Sequence, residues 1–398
     1  MQLTFDEATE AFRHEFESWL DANAPTEDEA AVRSTSSADS PPWARAFQRR
    51  MFDAGWLVPG NPPEHGGRNA TLIEQFVCHE VLAHRNIYQS WNPQGLGIIV
   101  PSILVFGTDE QKERWAVPVL KGEMTAALGM SEPNAGSDLA GLRTKAVRDG
   151  DQFVVNGQKV WTSGAHDADF ILTFVRTDPD APKHEGISTL LIPTDLPGLT
   201  RRPFGSVIGQ EDQDFNEVFF DDVHVPAENL LGPLHGGWGV ANGSLGHERA
   251  MLWLDYSARL DDFLDAFART AEPRGLADDA LAMDAYAATA IDAQALKLLG
   301  YQTLAKTRRG LTSTEQSILK LFGSESVQGA FGTAVEWLGP AGLDDETPSQ
   351  PYNHLQLDTH GASYFERYLR SFAGTIAGGT SEIQRNIVAE RVLGLPRS

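Results

Sequence analysis

The stretch Gly129-Met130-Ser131-Glu132-Pro133-Asn134-Ala135-Gly136-Ser137-Asp138-Leu139-Ala140-Gly141 decides how the rest of the chain is read. Its Pro, Asn, Gly, Ser and Asp residues have loop chemistry, and Gly136-Ser137-Asp138 taken alone is compatible with a plain turn. It does not stand alone. A second block, Asn156-Gly157-Gln158-Lys159-Val160-Trp161-Thr162-Ser163-Gly164, follows it, and Gly378-Gly379-Thr380-Ser381-Glu382-Ile383-Gln384-Arg385 lies near the C-terminus. Three separated blocks constrain function far more than any one short motif.

Around the first two blocks, from about Thr125 to Gly232, the sequence runs in short apolar segments: Phe153–Val155, Phe170–Val175, Thr189–Ile192 and Glu217–Phe220. Asp-Gly, Asn-Gly and Pro-Gly turn signals separate them, which predicts a β domain. To the N-terminal side, Phe12, Phe16, Trp19 and Leu20 recur at helical spacing. Ser34 to Pro42 reads as a loop, and Trp43–Trp56 and Leu72–His84 read as helices. Another helix starts near Thr108, where Thr108 and Gln111 have capping-box spacing. From Trp238 onward helical patterns return. The last helix is bounded by a Ser381/Gln384 capping pair and by Gly394 and Pro396. The expected division is 1–123 helical, 124–235 β and 236–398 helical.

The chain has 398 residues with 41% apolar content, enough for roughly two or three domains. No run of about 18 apolar residues occurs, so no membrane span is expected, and the acidic Met1–Glu7 start is unlike a signal peptide. A cytoplasmic location is expected. Cys78 is the sole cysteine, which excludes an intramolecular disulfide and a Cys-based zinc cage. His79-Glu80-Val81-Leu82-Ala83-His84 looks like a zinc-protease motif. Its histidines are five residues apart, however, and diverge by about 140° on a helix, so no metal site is expected. A formal charge of −23 argues against nucleic acid or an anionic membrane as partner. No Gly-x-Ser-x-Gly elbow, Walker loop or Gly-x-Gly-x-x-Gly fingerprint is present.

The Gly129–Gly141 block resembles the first signature of the acyl-CoA dehydrogenase family, and the other two blocks follow in family order. Ala54-Gly55-Trp56 and Phe106–Gln111 are similar to that family's N-terminal helical domain. The resemblance implies an α+β fold: a helical N-terminal domain, a central β barrel and a C-terminal four-helix bundle. It implies FAD as cofactor and an acyl-CoA thioester as substrate. Leu128, Met130 and Ser131 would line the flavin edge, Trp161 and Ser163 would contact its ring, and Thr380 and Glu382 would complete the cofactor site. Ser137 would approach the coenzyme A part, with Arg249 also on the substrate. Coenzyme A is anionic, so an acidic protein must gather its cations locally, from residues such as Arg143, Lys145, Arg249 or Arg385.

Many family members carry a glutamate immediately before the Gly-Thr of the last block, but this chain reads Ala377-Gly378-Gly379-Thr380. Glycine cannot take a proton. Isovaleryl-type and long-chain members instead place a glutamate on the first long helix of the C-terminal domain, just before an arginine, and His247-Glu248-Arg249 matches that position. The sequence pattern agrees: Leu245, Glu248, Leu252 and Tyr256 are spaced by three or four, an apolar stripe interrupted by one carboxylate. Burial raises a carboxylate's pKa, which suits a base working near neutral pH. The plainer reading of Glu248 is a salt-bridged glutamate at a helix boundary.

The family's Arg-x-x-Phe-Gly segment, which reaches the flavin of a neighbouring subunit, is replaced here by Arg269–Gly275. The resemblance therefore implies either a homotetramer with a different contact or a mixed tetramer with a paralogous chain. The ending Ala377–Pro396 looks like that of actinobacterial mixed tetramers acting on steroid side chains. The expected reaction is dehydrogenation to a trans-2-enoyl-CoA with electrons passed to an electron-transferring flavoprotein. The alternatives are a non-catalytic or partner-dependent subunit, and a flavin oxidase or monooxygenase on the same fold.

Overall fold

The computed structural model describes residues 5–30, 36–85, 87, 89–207, 214–311, 316–344 and 363–396, apart from the side chains of 27, 30, 244–252, 316, 317 and 344. They form two compact units. One comprises the described residues of Asp21–Asn69 and Gln89–Glu248, the other those of Met1–Leu20, Ala70–Tyr88 and Arg249–Ser398.

The first unit is built on eight strands: β1 (Ala126–Gly129), β2 (Lys145–Asp149), β3 (Gln152–Lys159), β4 (Phe170–Arg176), β5 (Ile187–Pro193), β6 (Leu199–Phe204), β7 (Phe215–Pro226) and β8 (Leu230–Leu231). Their order is β6-β7-β3-β2-β4-β5-β8, with β1 paired to β4. The expected barrel is realised as two leaves. β2 and β4 share one register pair, Lys145 with Arg176, whereas β1 runs parallel to β4 from Ala126/Phe170 to Gly129/Thr173. One edge of β4 is thus divided between β1 and β2, and the chain between them, residues 130–144, leaves the sheet there. Phe153, Val155, Ile171, Val175, Leu190, Ile192, Val218 and Val223 from both leaves form one buried core. β4 and β5 are buried on both faces, which is why their sequences are almost continuously apolar.

Asp149-Gly150 makes the expected tight turn between β2 and β3, with Gly150 at φ 61°. Asn156-Gly157 does not turn. The register against β7 shifts between Val155 and Gly157, where the two β7 residues Asp221 and Asp222 stand opposite Asn156 alone, so Asn156-Gly157 runs on within β3 and the bulge lies in β7, with Asp222 at φ 47°. Gly157 has φ 147°, and a Cβ there would lie 2.6 Å from the Thr144 Cα, a close approach that only glycine permits. Asn156 exchanges hydrogen bonds with Asp222 across the bulge at 2.9 and 3.0 Å.

The helices of this unit brace β1. The Asn92 carboxamide donates to the Ala126 and Ser37 carbonyls and accepts from the Ala126 N–H, so a buried side chain completes the hydrogen bonding at the strand's start. Thr108 and Gln111 form the expected capping box. Gln111 also donates to the Glu228 and Leu230 carbonyls. Helix Pro42–Asp53 starts one residue before the expected Trp43 and ends three before Trp56. Residues 36–41 are non-helical as expected, and residues 34 and 35 lie outside the described residues.

The second unit is helical. It contains Leu72–His84, Ala280–Arg308, Gln316–Leu338, Tyr364–Ile376 and Ser381–Ile387, together with most of Glu7–Asn23 and the part of Gly237–Ala271 after residue 248. Phe76 stacks on Trp253 and meets Tyr301, while Phe263 and Phe267 meet Tyr364 edge-on. Glu80 accepts from both Arg13 and the Tyr301 hydroxyl, at 2.7 and 2.8 Å. The His84 ring sits 2.8 Å from the Glu80 carbonyl, and Cys78 is buried. Among the described residues no helix is long and apolar enough to cross a membrane.

Candidate active site

Gly129 ends β1 and Lys159 ends β3, so the sheet delivers the first two sequence blocks side by side. The Val160 N–H donates to the Ser131 carbonyl at 3.0 Å. Leu128, Met130 and Ser131 are each half-buried beside this junction. Beneath it lies Lys159, whose ammonium is fully buried and donates to the Met130 carbonyl and to Glu132 Oε1, both at 2.9 Å. Glu132 also accepts from the Arg143 and Thr144 N–H groups at 2.6 and 2.8 Å. Burial pushes the Lys159 ammonium down to about 8, with Glu132 opposing. Burial would raise the Glu132 carboxyl, but Lys159 and the two backbone donors hold it below the usual range, so both groups are charged at neutral pH.

The chain then turns sharply. Trp161 has φ 61°, an unusual conformation for a bulky residue, and its indole is 59% exposed. Phe204 and Phe215 stand edge-on to it at 5.2 and 5.4 Å. Thr162 is fully buried, and its hydroxyl has no hydrogen-bond partner among the described residues, while Ser163 is nearly buried. Asn216 holds this turn by accepting the Thr162 N–H and donating to the Thr162 carbonyl. A strained, braced and exposed aromatic beside an unsatisfied buried hydroxyl suits a planar heteroaromatic ligand such as the isoalloxazine ring. Leu128, Met130, Ser131, Trp161 and Ser163 are therefore gathered in one place.

Ser137 lies in the following loop and is exposed, and nothing meets the Cβ position of Gly136. The hydrogen-bonded turns of this block run from Glu132 to Ala135 and from Asp138 to Gly141, on either side of Gly136-Ser137. The loop is tied to the sheet by Arg176, which donates to the Ala140 carbonyl, and by the Lys183–Asp138 pair. Arg143 and Lys145 are exposed here, and neither makes an ion pair among the described residues. Arg385 is engaged with Glu325.

Thr380 and Glu382 belong to the helical unit. The expected Ser381/Gln384 cap is displaced by one residue: Thr380 is the N-cap, accepting the Ile383 N–H at 3.2 Å, and Ser381 turns inward. Thr380 caps because its own backbone is still extended. Gln384 instead donates to the Gly378 carbonyl, and Lys320 donates to that of Gly379 at 2.6 Å. Gly378 and Gly379 have φ 66° and 97°. Glu382, at the helix start, is held below the usual carboxylate range by its own backbone N–H and the Thr380 side chain. Glu248 and Arg249 fall within the continuous helix Gly237–Ala271, and their side chains lie outside the described residues. So do those of Leu245 and Leu252, while Tyr256 is buried.

The pattern reading did not single out Phe204, Phe215 or the Lys159–Glu132 pair. A signal for Lys159 existed: strand alternation puts 153, 155 and 159 on one face, and a lysine among buried residues requires an acid.

Sequence models of the acyl-CoA dehydrogenase N-terminal, middle and C-terminal domains match residues 6–123, 127–223 and 235–393. The acyl-CoA dehydrogenase IpdE1 of Mycolicibacterium smegmatis is 34% identical over 401 residues, covering 97% of each chain. Among solved structures, the ChsE4–ChsE5 complex of Mycobacterium tuberculosis is 30% identical with a TM-score of 0.80, covering 100% of both chains. The Tcur3481–Tcur3483 steroid ACAD also has a TM-score of 0.80, at 28% identity, and covers 100% of both. The chain belongs to the acyl-CoA dehydrogenase family, whose members are FAD-dependent flavoprotein oxidoreductases.

Proposed function

We propose that the protein dehydrogenates a bulky acyl-CoA thioester at its α,β bond, giving the trans-2-enoyl-CoA. The observation that carries this reading is the main-chain bond from Val160 to Ser131, which joins the segments Leu128–Ser131 and Trp161–Ser163 beside the exposed, strained Trp161. Relatives that include a steroid ACAD support a ring-bearing or branched acyl group.

In this reading bound FAD supplies the two-electron acceptor. Leu128, Met130 and Ser131 would line its edge, and Trp161 and Ser163 would contact its ring through an aromatic face and a hydroxyl. Thr380 and Glu382 are further proposed cofactor contacts. Ser137 and Arg249 orient the thioester, and Glu248 removes the α-proton. A carboxylate is the suitable base because it can be shielded from water until substrate arrives, and shielding brings its pKa toward neutrality. Electron-transferring flavoprotein is the proposed acceptor of the electrons.

A mixed tetramer with a paralogous chain is the proposed assembly. The replaced Arg269–Gly275 segment supports it: these residues form the end of one helix, a short 3₁₀ turn and Gly275 at φ 72°. The paired names of two structural relatives point the same way.

The test is an anaerobic screen of straight, branched and steroid-side-chain acyl-CoA thioesters, followed by bleaching of the flavin absorbance. Bleaching by bulky thioesters in preference to straight ones is expected. A FAD-loaded protein, alone and with its paralogue, that no thioester bleaches would overturn the reaction, and a preference for straight chains would overturn the substrate class.

A further inference from the structure

We infer that Lys159 and Glu132 are a positioning pair for the flavin, a buried ionic strut that fixes the two flavin-facing segments relative to each other. The inference rests on the proposed placement of Leu128–Ser131 and Trp161–Ser163 at the cofactor.

Lys159 is the last residue of β3, two positions before Trp161, and Glu132 follows Ser131 directly. Each member of the pair therefore adjoins one flavin-facing segment. The Lys159 ammonium, fully buried, reaches back to the Met130 carbonyl as well as to Glu132, spanning the peptide that leads into Ser131. The Glu132 carboxylate receives the backbone N–H groups of Arg143 and Thr144, immediately before β2, in addition to the ammonium. Four donor contacts from two chain segments thus meet at one carboxylate and one carbonyl of a third.

This arrangement is expensive if it serves stability alone, since a buried ion pair is often matched or bettered by apolar packing of similar volume. What it provides is geometry. β1 leaves β4 at Gly129/Thr173, so among the described residues Met130 and Ser131 pair with no strand, and one main-chain bond, from Val160 to Ser131, ties them to the second block. The ammonium also withdraws electron density from the Met130 carbonyl and thereby polarises the Ser131 N–H, making it a stronger donor toward an electron-rich flavin edge. A strut of fixed length therefore holds both the spacing and the electrostatics of the edge facing the ring.

The test uses the double variant Lys159→Met/Glu132→Gln, which removes both charges together and leaves no uncompensated ion. FAD affinity of the apoprotein, the melting temperature of the apoprotein and the shape of the bound flavin's absorption band are measured. Expected are a loss of FAD affinity of at least tenfold and an altered band with little change in apoprotein melting. An affinity within twofold of wild type in the folded double variant overturns the inference, as does a lowered melting temperature with unchanged affinity. If the double variant does not fold, Glu132→Gln alone carries the same comparison, with at least threefold weaker FAD binding expected and unchanged binding overturning the inference. Trp161→Ala is the control: FAD affinity unaffected by Trp161→Ala defeats the placement of the flavin itself, whereas loss there without loss in the double variant defeats only the strut.

Discussion

Trp161 meets Phe215 edge to face, with ring centroids 5.4 Å apart and planes at 86°, while its backbone sits at φ 61°. The contact fixes the indole plane without covering it. Removing the indole should therefore cost cofactor affinity more than stability. Trp161→Ala is expected to weaken FAD binding by at least tenfold, about the 1.4 kcal/mol expected of one aromatic packing partner, and Phe215→Ala by a smaller factor through loss of the brace. Titration of the apoprotein with FAD measures both. Equal affinities for wild type and Trp161→Ala would remove the indole from the site.

The Glu80 carboxylate joins Arg13 to Tyr301, and the Tyr301 hydroxyl is pushed above its ordinary range by burial and by the neighbouring carboxylate. The phenol is thus a donor at every accessible pH. Tyr301→Phe deletes one hydrogen bond to a charged group and should cost about 1.5 kcal/mol. Urea denaturation is the measurement, and a midpoint unchanged from wild type would show that the bond contributes nothing net.

Asp255 has its carboxyl pushed up to about 6 by burial, with Arg259 opposing the shift. The folded state therefore holds a proton that the unfolded state has released between about 4 and 6. The stabilisation from this group is complete below the unfolded pKa and is lost as pH rises through 6. Asp255→Asn should raise the melting temperature at pH 8 relative to wild type and give less or no gain at pH 4. The same difference at both pH values would contradict the assignment.

Much of this architecture is legible in the sequence where one physical signal dominates. Leu72–His84 and the Thr108/Gln111 box are found as read, because an apolar face and a cap specify them locally. The centres of β3, β4, β5 and β7 are legible because burial selects β-branched and aromatic residues. β2 and β6 escape notice because they are largely exposed, and Lys145-Ala146-Val147-Arg148-Asp149 shows little apolar alternation. Asn156-Gly157 misleads because this turn-favouring pair lies in continuous strand, where Thr144 packs so close that position 157 must be glycine. At the site, Trp161 is legible through its block, but the ion pair beneath it depends on a tertiary meeting of Glu132 with Lys159.

The final prediction concerns the proton acceptor. Glu248→Gln keeps the shape and hydrogen-bonding capacity of the side chain and removes its basicity, so FAD and thioester should still bind while flavin bleaching slows by about 10²–10⁴-fold. Family likeness allows the carboxylate to come from position 378 instead, which makes Gly378→Glu in the Glu248→Gln background the natural attempt at rescue. The structure predicts that this rescue is poor. Gly378 has φ 66°, where a side chain costs about 1–2 kcal/mol, and its carbonyl and that of Gly379 are held by Gln384 and Lys320. A glutamate at 378 must either accept that strain or pull the turn away from both donors, disturbing Thr380 at the start of the next helix. The double variant should melt below Glu248→Gln and recover less than tenfold of the lost rate. Anaerobic single-turnover bleaching decides both halves: Glu248→Gln bleaching as fast as wild type eliminates Glu248 as the base, and near-complete recovery in the double variant would show that the glycine turn tolerates a carboxylate after all.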